Sequence, residues 1–361
     1  MVTATSAKQK RWRLRLMAML FGLAVALVVG EIAVLLSGVN NHYRVPATSQ
    51  IIPRSGGPFD LAPNGFVPFS TLRTTYPSNP RGYFDHNSGI DHKFNSRGWR
   101  DDEHTVEKPD NTLRILALGD SYLFGQGVKR KDLFIEQLPR LLASKLETHQ
   151  EIETINTGQS AYNTEMELKL LRESGLAYQP DAVLLSFVPN DVEPNIFAEG
   201  HKVEFFSEFT NSYVTNDWLS RYSELWMFLR RSLAYYTLGQ RHLQNSIDSY
   251  LDDSEKWQKC RSALLDMRNL CEEYDVPLLV VIFPFFVNLN GDYPFQPIHD
   301  QVVSTCEDKG IAVLDLRESY RNYRGPELWV HPTDQHPNDV AHQIAAEAIA
   351  EKLSALDPFK N

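Results

Sequence analysis

The chain has 361 residues, with 46 acidic side chains against 36 basic ones and a formal net charge of −10. That balance argues against a nucleic-acid partner, whose phosphates call for a basic surface. Three cysteines, Cys260, Cys271 and Cys306, are too few and too odd in number for a disulfide framework. Packing is their expected role, with one bridge between Cys271 and Cys306 as the alternative.

At the N-terminus Lys8, Lys10, Arg11, Arg13 and Arg15 precede an apolar run from Leu16 to Leu36 whose only charge is Glu31. About twenty such residues cross a bilayer. The run is longer than the apolar core of a signal peptide and has no clear small-x-small cleavage site, so it reads as an uncleaved anchor. Leu36-Ser37-Gly38 is followed by Val39 where a lipoprotein would carry cysteine. Basic residues stay cytoplasmic, which places the body outside the cytoplasm, in a periplasmic or extracellular setting. Glu31 is expected to snorkel or to face a partner. Residues 1–38 thus form a basic tail and membrane anchor.

Residues 39–112, rich in Pro, Gly, Asn and Ser, read as a tether and irregular segment. Residues 113–361 form the main domain. In it the runs Leu113–Leu118, Glu153–Asn156, Ala182–Phe187, Pro277–Phe283 and Ile311–Asp315 read as five buried strands. Helical patterns alternate with them at about 163–175 and 254–273, starting at Asn163 and Ser254, the second with an apolar stripe through Trp257, Cys260, Leu264 and Met267. A less clean helix falls at 132–147, where Pro139 implies a kink or a later start. A last helix follows residue 338, with Val340, Ile344, Ala345, Ala348, Ile349 and Leu353 on its apolar face. This alternation predicts an α/β fold: a three-layer, doubly wound, flavodoxin-like parallel sheet of about five strands.

An insertion at about 195–252 is too long for a plain crossover. It holds Phe205, Phe206, Phe209, Tyr213, Trp218, Tyr222, Trp226, Phe228, Tyr235 and Tyr236. A helical subdomain with its own core is the plain expectation. The sharper one is a cap over the active edge, because the insertion begins just after Asn190.

Four short blocks carry the chemistry. The first strand ends at Gly119-Asp120-Ser121, the second at Thr157-Gly158 and the third at Val188-Pro189-Asn190-Asp191, while Asp334-Gln335-His336-Pro337-Asn338 opens the last helix. Strand ends and helix starts share one edge of a βαβ sheet, so Ser121, Gly158, Asn190 and His336 should converge. A serine hydroxyl needs a base, which His336 supplies, and the imidazole needs an orienting carboxylate, for which Asp334 is nearest in sequence. The backbone N–H groups of Ser121 and Gly158 and the Asn190 amide are candidate donors to an oxyanion. His331, His336 and His342 lie close together, but His342 falls inside the helix and no His-Glu-x-x-His spacing occurs, so no metal and no cofactor are expected.

These blocks, Ser, Gly, Asn and His in that order over roughly residues 113–355, resemble the SGNH (GDSL-type) hydrolase family. The resemblance implies Ser121 as nucleophile, Gly158 and Asn190 as oxyanion donors and His336 as base. The usual Asp-x-x-His spacing would put Thr333 at the orienter's place; Asp334 is displaced by one, in an Asp-x-His-Pro-Asn variant similar to one in bacterial members. Pro189 stands where the family often has glycine. The segment Phe94–Asp101 also resembles one that precedes the nucleophile block in anchored bacterial members; a structural plug is its expected role, with Arg97 or Arg100 reaching a polar substrate as the alternative.

The expected function is that of a membrane-anchored, extracytoplasmic serine esterase deacylating, above all deacetylating, an acylated carbohydrate or lipid at the cell surface. The alternatives are an acyltransferase using the same residues on an exported polysaccharide, and a catalytically silent scaffold that binds glycan or a partner.

Overall fold

The computed structural model describes residues 2–43, 47–52, 66–146, 148–194 and 218–359. The chain divides into two compact units, Met1–Pro46 with Glu204–Gln240, and Ala47–Val203 with Arg241–Asn361.

In the first unit one helix runs from Val2 to Ser37, and its stretch Gln9–Ser37 is long and apolar enough to cross a membrane. Helices at Trp218–Tyr222 and from Glu224 onward belong with it. The insertion aromatics Phe205, Phe206, Phe209 and Tyr213 lie outside the described residues.

The second unit opens with three antiparallel strands in the order β1 (Thr48–Ile52), β2 (Thr71–Thr75) and β3 (Gly89–Lys93). The segment expected to be a tether and irregular is therefore partly a small sheet. Its strands are short, and the inward positions of β2 are Leu72 and Thr74, too little apolar alternation to stand out in the sequence.

The main sheet follows: β4 (Thr112–Gly119), β5 (Glu151–Asn156), β6 (Ala182–Phe187), β7 (Leu278–Ile282) and β8 (Ala312–Asp315). All pairings are parallel and the spatial order is β5-β4-β6-β7-β8. The strand order reverses beside β4, and in such sheets ligands bind beyond the carboxyl ends at that switch point. Strands β4, β6 and β7 are buried along their whole length, as strands covered on both faces must be.

Helix Phe134–Leu146 packs with the C-terminal helix Asp339–Ser354, and helix Thr164–Leu170 packs with Glu255–Glu273. The Phe134–Leu146 helix begins before Pro139 and runs through it, so the later start expected from the proline does not occur. On the C-terminal helix the buried face is Ala341, His342, Ala345, Ala346, Ile349, Ala350 and Leu353, rotated from the expected one, and Val340 is exposed. The three cysteines are free, buried thiols and form no bridge.

A two-stranded hairpin, β9 (Trp329–His331) and β10 (Asp334–Pro337), precedes the last helix. Asn338 closes it and caps that helix, its side chain accepting the Ala341 N–H at 3.0 Å.

Candidate active site

Ser121 is the first residue of a one-turn helix, Ser121–Phe124, set on the end of β4. Asp120 caps this turn, its carboxylate accepting the Tyr122 N–H at 2.9 Å, and Gly125 closes it in the left-handed region at φ 76°. The sharp strand-to-helix turn leaves the Ser121 hydroxyl at the carboxyl edge of the sheet. There Ser121 Oγ lies 2.9 Å from His336 Nε2 and 3.2 Å from Asp120 Oδ2.

His336 Nδ1 in turn stands 2.5 Å from Asp334 Oδ1, and the same oxygen accepts the His336 N–H at 3.2 Å. With Nδ1–H donated to the carboxylate, Nε2 is left as the acceptor for the serine proton. The displaced spacing of the aspartate has a structural basis. Asp334 and His336 both lie on β10, and residues two apart on a strand point to the same face.

The second oxygen of Asp334 accepts from Tyr76 Oη at 2.6 Å. Tyr76 is buried and follows β2, 258 positions away in sequence. No local signal marks it, so sequence reasoning passed over it. Burial pushes the Asp334 carboxyl up, but the His336 charge and the hydrogen bonds from His336 and Tyr76 outweigh this and hold it below its ordinary value. Burial pushes His336 down, and the neighbouring Asp334 charge and hydrogen bond more than offset it, leaving the imidazole above its ordinary value.

Asn190 follows β6 in a turn fixed from both sides. Asp191 Oδ2 accepts the Val188 N–H at 2.7 Å, and Tyr250 Oη donates to the carbonyl of Pro189 at 3.0 Å. The Asn190 Nδ2 amide donates to Asp120 Oδ2 at 3.1 Å, the same oxygen that faces Ser121. Asp120 thus ties the Asn190 side chain to the serine turn. Its carboxyl is fully buried and raised by that burial, against the opposing hydrogen bonds of Tyr122, Asn190 and Ser121 and the His336 charge.

The N–H of Gly158, after β5, donates to Asn156 Oδ1 at 2.9 Å, so this expected oxyanion donor is already engaged. The glycine itself has a steric reason. A Cβ there would lie 2.4 Å from the Phe124 nitrogen and 2.8 Å from the Leu123 carbonyl carbon, inside the backbone of the serine turn.

The Phe94–Asp101 segment braces these loops. Arg100 is buried, and its guanidinium donates to the carbonyls of Phe124 at 2.8 Å, Gly125 at 2.7 Å and Val128. Asp101 Oδ2 accepts the Asn156 N–H at 2.7 Å, and Gln159 Nε2 donates to the Gly98 carbonyl at 3.1 Å. This is the plug expected of the segment. With its two terminal nitrogens turned onto three backbone carbonyls, the buried Arg100 braces the serine turn and does not reach toward a substrate.

The other histidines near the site sit apart from this relay. His331 Nε2 is 2.9 Å from Ser78 Oγ and its Nδ1 is 2.7 Å from Thr333 Oγ1. His342 lies on the buried face of the last helix, its Nδ1 accepting the Phe134 N–H at 3.2 Å.

Chemically, a hydroxyl on an imidazole that is itself held by a buried carboxylate, with an amide donor alongside, is an arrangement for acyl transfer. No match to the chain is found among curated proteins. Among solved structures, it is similar to a G-D-S-L family lipolytic protein from Desulfitobacterium hafniense DCB-2 (13% identity, covering 66% of this chain and 99% of that one, TM-score 0.38). It is also similar to the lipase/acylhydrolase from Enterococcus faecalis (15% identity, 69% and 100% covered, TM-score 0.41). A third is an acetylxylan esterase from Geobacillus stearothermophilus (16% identity, 67% and 94% covered, TM-score 0.39). The profile of the GDSL-like Lipase/Acylhydrolase family matches residues 117–344, the span from β4 into the C-terminal helix that carries all four blocks. The chain belongs to this family and is a carboxylic ester hydrolase of the SGNH/GDSL type.

Proposed function

We propose that the protein is a membrane-anchored, extracytoplasmic serine esterase that removes acyl groups, acetyl in particular, from a cell-surface glycan or glycolipid. The observation that carries the catalytic part is the unbroken relay from Ser121 Oγ through His336 to Asp334, with contacts of 2.9 and 2.5 Å. Ser121 Oγ attacks the ester carbonyl carbon while its proton passes to His336 Nε2, and Asp334 stabilises the imidazolium that results. The carbonyl oxygen, now anionic, takes hydrogen bonds from the Ser121 N–H and from the second N–H of the Asn190 amide. Gly158 contributes as a third donor by sharing its N–H between Asn156 and the oxyanion. Collapse expels the alcohol, protonated by His336, and leaves an acyl-serine. Water, deprotonated by His336, then releases the acid.

The location and substrate class rest on two supports. The apolar helix is flanked by basic residues on its N-terminal side, and family membership supplies the ester chemistry. The test is labelling of the full chain with a fluorophosphonate, alongside turnover of a short-chain aryl ester and the Ser121→Ala variant. Labelling and turnover, both lost in Ser121→Ala with the melting temperature retained, are expected. Ester cleavage unchanged in that variant would overturn the assignment of Ser121. Labelling with transfer to an added sugar hydroxyl in place of water would favour the acyltransferase reading.

A further inference from the structure

The one charge inside the apolar run is not left facing lipid. Glu31 accepts from Ser223 Oγ at 2.7 Å, from the Glu224 N–H at 2.5 Å and from the Leu225 N–H at 3.1 Å. These donors open the helix Glu224–Asp248, so the Glu31 carboxylate sits on its positive end. Beside it Gly30 lets the two helices close up, since a Cβ there would lie 3.1 Å from Leu225 Cδ2. Asn40 Nδ2 adds bonds to the Glu224 carbonyl at 2.9 Å and to Glu224 Oε2 at 2.8 Å. The Arg231 guanidinium stands 3.7 Å from the Tyr43 ring centre. Glu31 is five residues from the end of the apolar run at Leu36, about 7.5 Å along a helix. With Leu36 at the edge of an apolar core of about 30 Å, that puts Glu31 about halfway into one leaflet. The second helix therefore begins at the depth of about 5–10 Å to which an interfacial helix sinks its apolar face.

From there it carries large apolar side chains on its outside. Leu229, Leu233 and Tyr236 are exposed by 51%, 64% and 66%, whereas Met227 and Arg231 on the other side are buried; Tyr222, which ends the short preceding helix, is exposed by 82%. At 100° per residue Leu229, Leu233 and Tyr236 fall within an arc of about 60°. Between residues 218 and 240 the exposed Arg221 and Arg230, with the buried Arg231, stand against Glu224 alone, a locally positive stretch in a chain of net charge −10. Aliphatic and tyrosine side chains along one stripe with arginines nearby are the composition of a helix lying in the headgroup region of anionic lipid.

We propose that the stripe Leu229, Leu233 and Tyr236, with Tyr222 just ahead of it, is a second membrane contact: an interfacial helix, fixed to the anchor at Glu31 and Gly30, whose occupant is the lipid bilayer. The inference rests on the anchor reading above. Its consequence is that the first unit seats on the membrane by a surface as well as by a span.

The test uses the full chain in vesicles of phosphatidylcholine and phosphatidylglycerol, with a nitroxide on one introduced cysteine at a time, the native thiols being buried. Positions are Leu229→Cys and Leu233→Cys on the stripe, Val25→Cys in the anchor and exposed Lys309→Cys as the reference for water. The expected result is loss of broadening by a water-soluble nickel chelate, with gain of broadening by oxygen, at 25, 229 and 233 but not at 309. Nickel broadening retained at 229 and 233, with 25 protected, overturns the inference and leaves the anchor standing. Nickel broadening at all four positions overturns both. Spin–spin broadening at 233 assigns the stripe to a second copy of the chain and overturns the lipid assignment.

Discussion

At Ser121 the hydroxyl proton has two acceptors within reach, His336 Nε2 at 2.9 Å and Asp120 Oδ2 at 3.2 Å. In the proposed mechanism only the imidazole carries the proton onward, because it alone is backed by a carboxylate on its far nitrogen. The base must be neutral to accept, and His336 is held above its ordinary value by Asp334. Activity should therefore fall as pH drops through a midpoint above about 6.5, the unperturbed histidine value, and rise on the alkaline side. Tyr76 gives this profile a second handle. Tyr76→Phe keeps the buried ring but removes the donor to Asp334 Oδ2. A hydrogen bond to a charged group is worth about 1.5–3 kcal/mol, so kcat should fall by roughly tenfold or more with KM little changed. The acid limb should also move to higher pH, since the Asp334 charge is then no longer shared with the phenol. A kcat/KM profile of wild type and variant checks both; an unmoved limb with reduced thermal stability would reduce Tyr76 to packing.

Among the elements, the β4 and β5 ends meet through backbone contacts, and the β10 hairpin reaches them through the His336 side chain. Gly158 is the tightest of these. An added methyl would fall against backbone atoms of Leu123 and Phe124, which have no rotamer to give. Gly158→Ala should shift the serine turn, lowering the melting temperature by the equivalent of about 1–3 kcal/mol. A displacement of about 1 Å at the nucleophile should lower kcat by around a hundredfold. Thermal melts and aryl-ester kinetics of the purified variant read the two effects separately; wild-type kcat would show that the turn does not move. The strands themselves were legible because buried parallel strands are continuous apolar runs, and Leu113–Leu118 and Ala182–Phe187 are such runs. The β1–β3 sheet was not legible, because its strands bury a threonine where a marker of the core would be expected. The β10 strand was hidden too, since Asp-Gln-His-Pro has the composition of a loop and becomes a strand only by pairing with β9.

For the whole molecule, the sheet-bearing unit and the unit formed by Met1–Pro46 with Glu204–Gln240 differ in what covers their apolar residues. The first buries its apolar residues in a core, while the helix Gln9–Ser37 buries none of its apolar window in protein. A reporter fused after Asn361 tests the proposed orientation. One that is active only outside the cytoplasm should give signal, and its cytoplasmic counterpart should give none; the reverse pattern would contradict the topology. By itself the sequence marked the five strands of the main sheet, the apolar N-terminal run and the candidates Ser121, Asn190 and His336. These are written in local patterns: runs of apolar residues, and turn residues placed where such runs end. Tertiary structure alone decided the rest. It brought Tyr76 to Asp334 across 258 positions, set Arg100 on the carbonyls behind Ser121, engaged the Gly158 N–H with Asn156 and set Glu31 on the start of a distant helix. Each of these is a contact between residues whose proximity is created by packing, and hydrogen-bond partners chosen by packing leave no periodic trace along the chain.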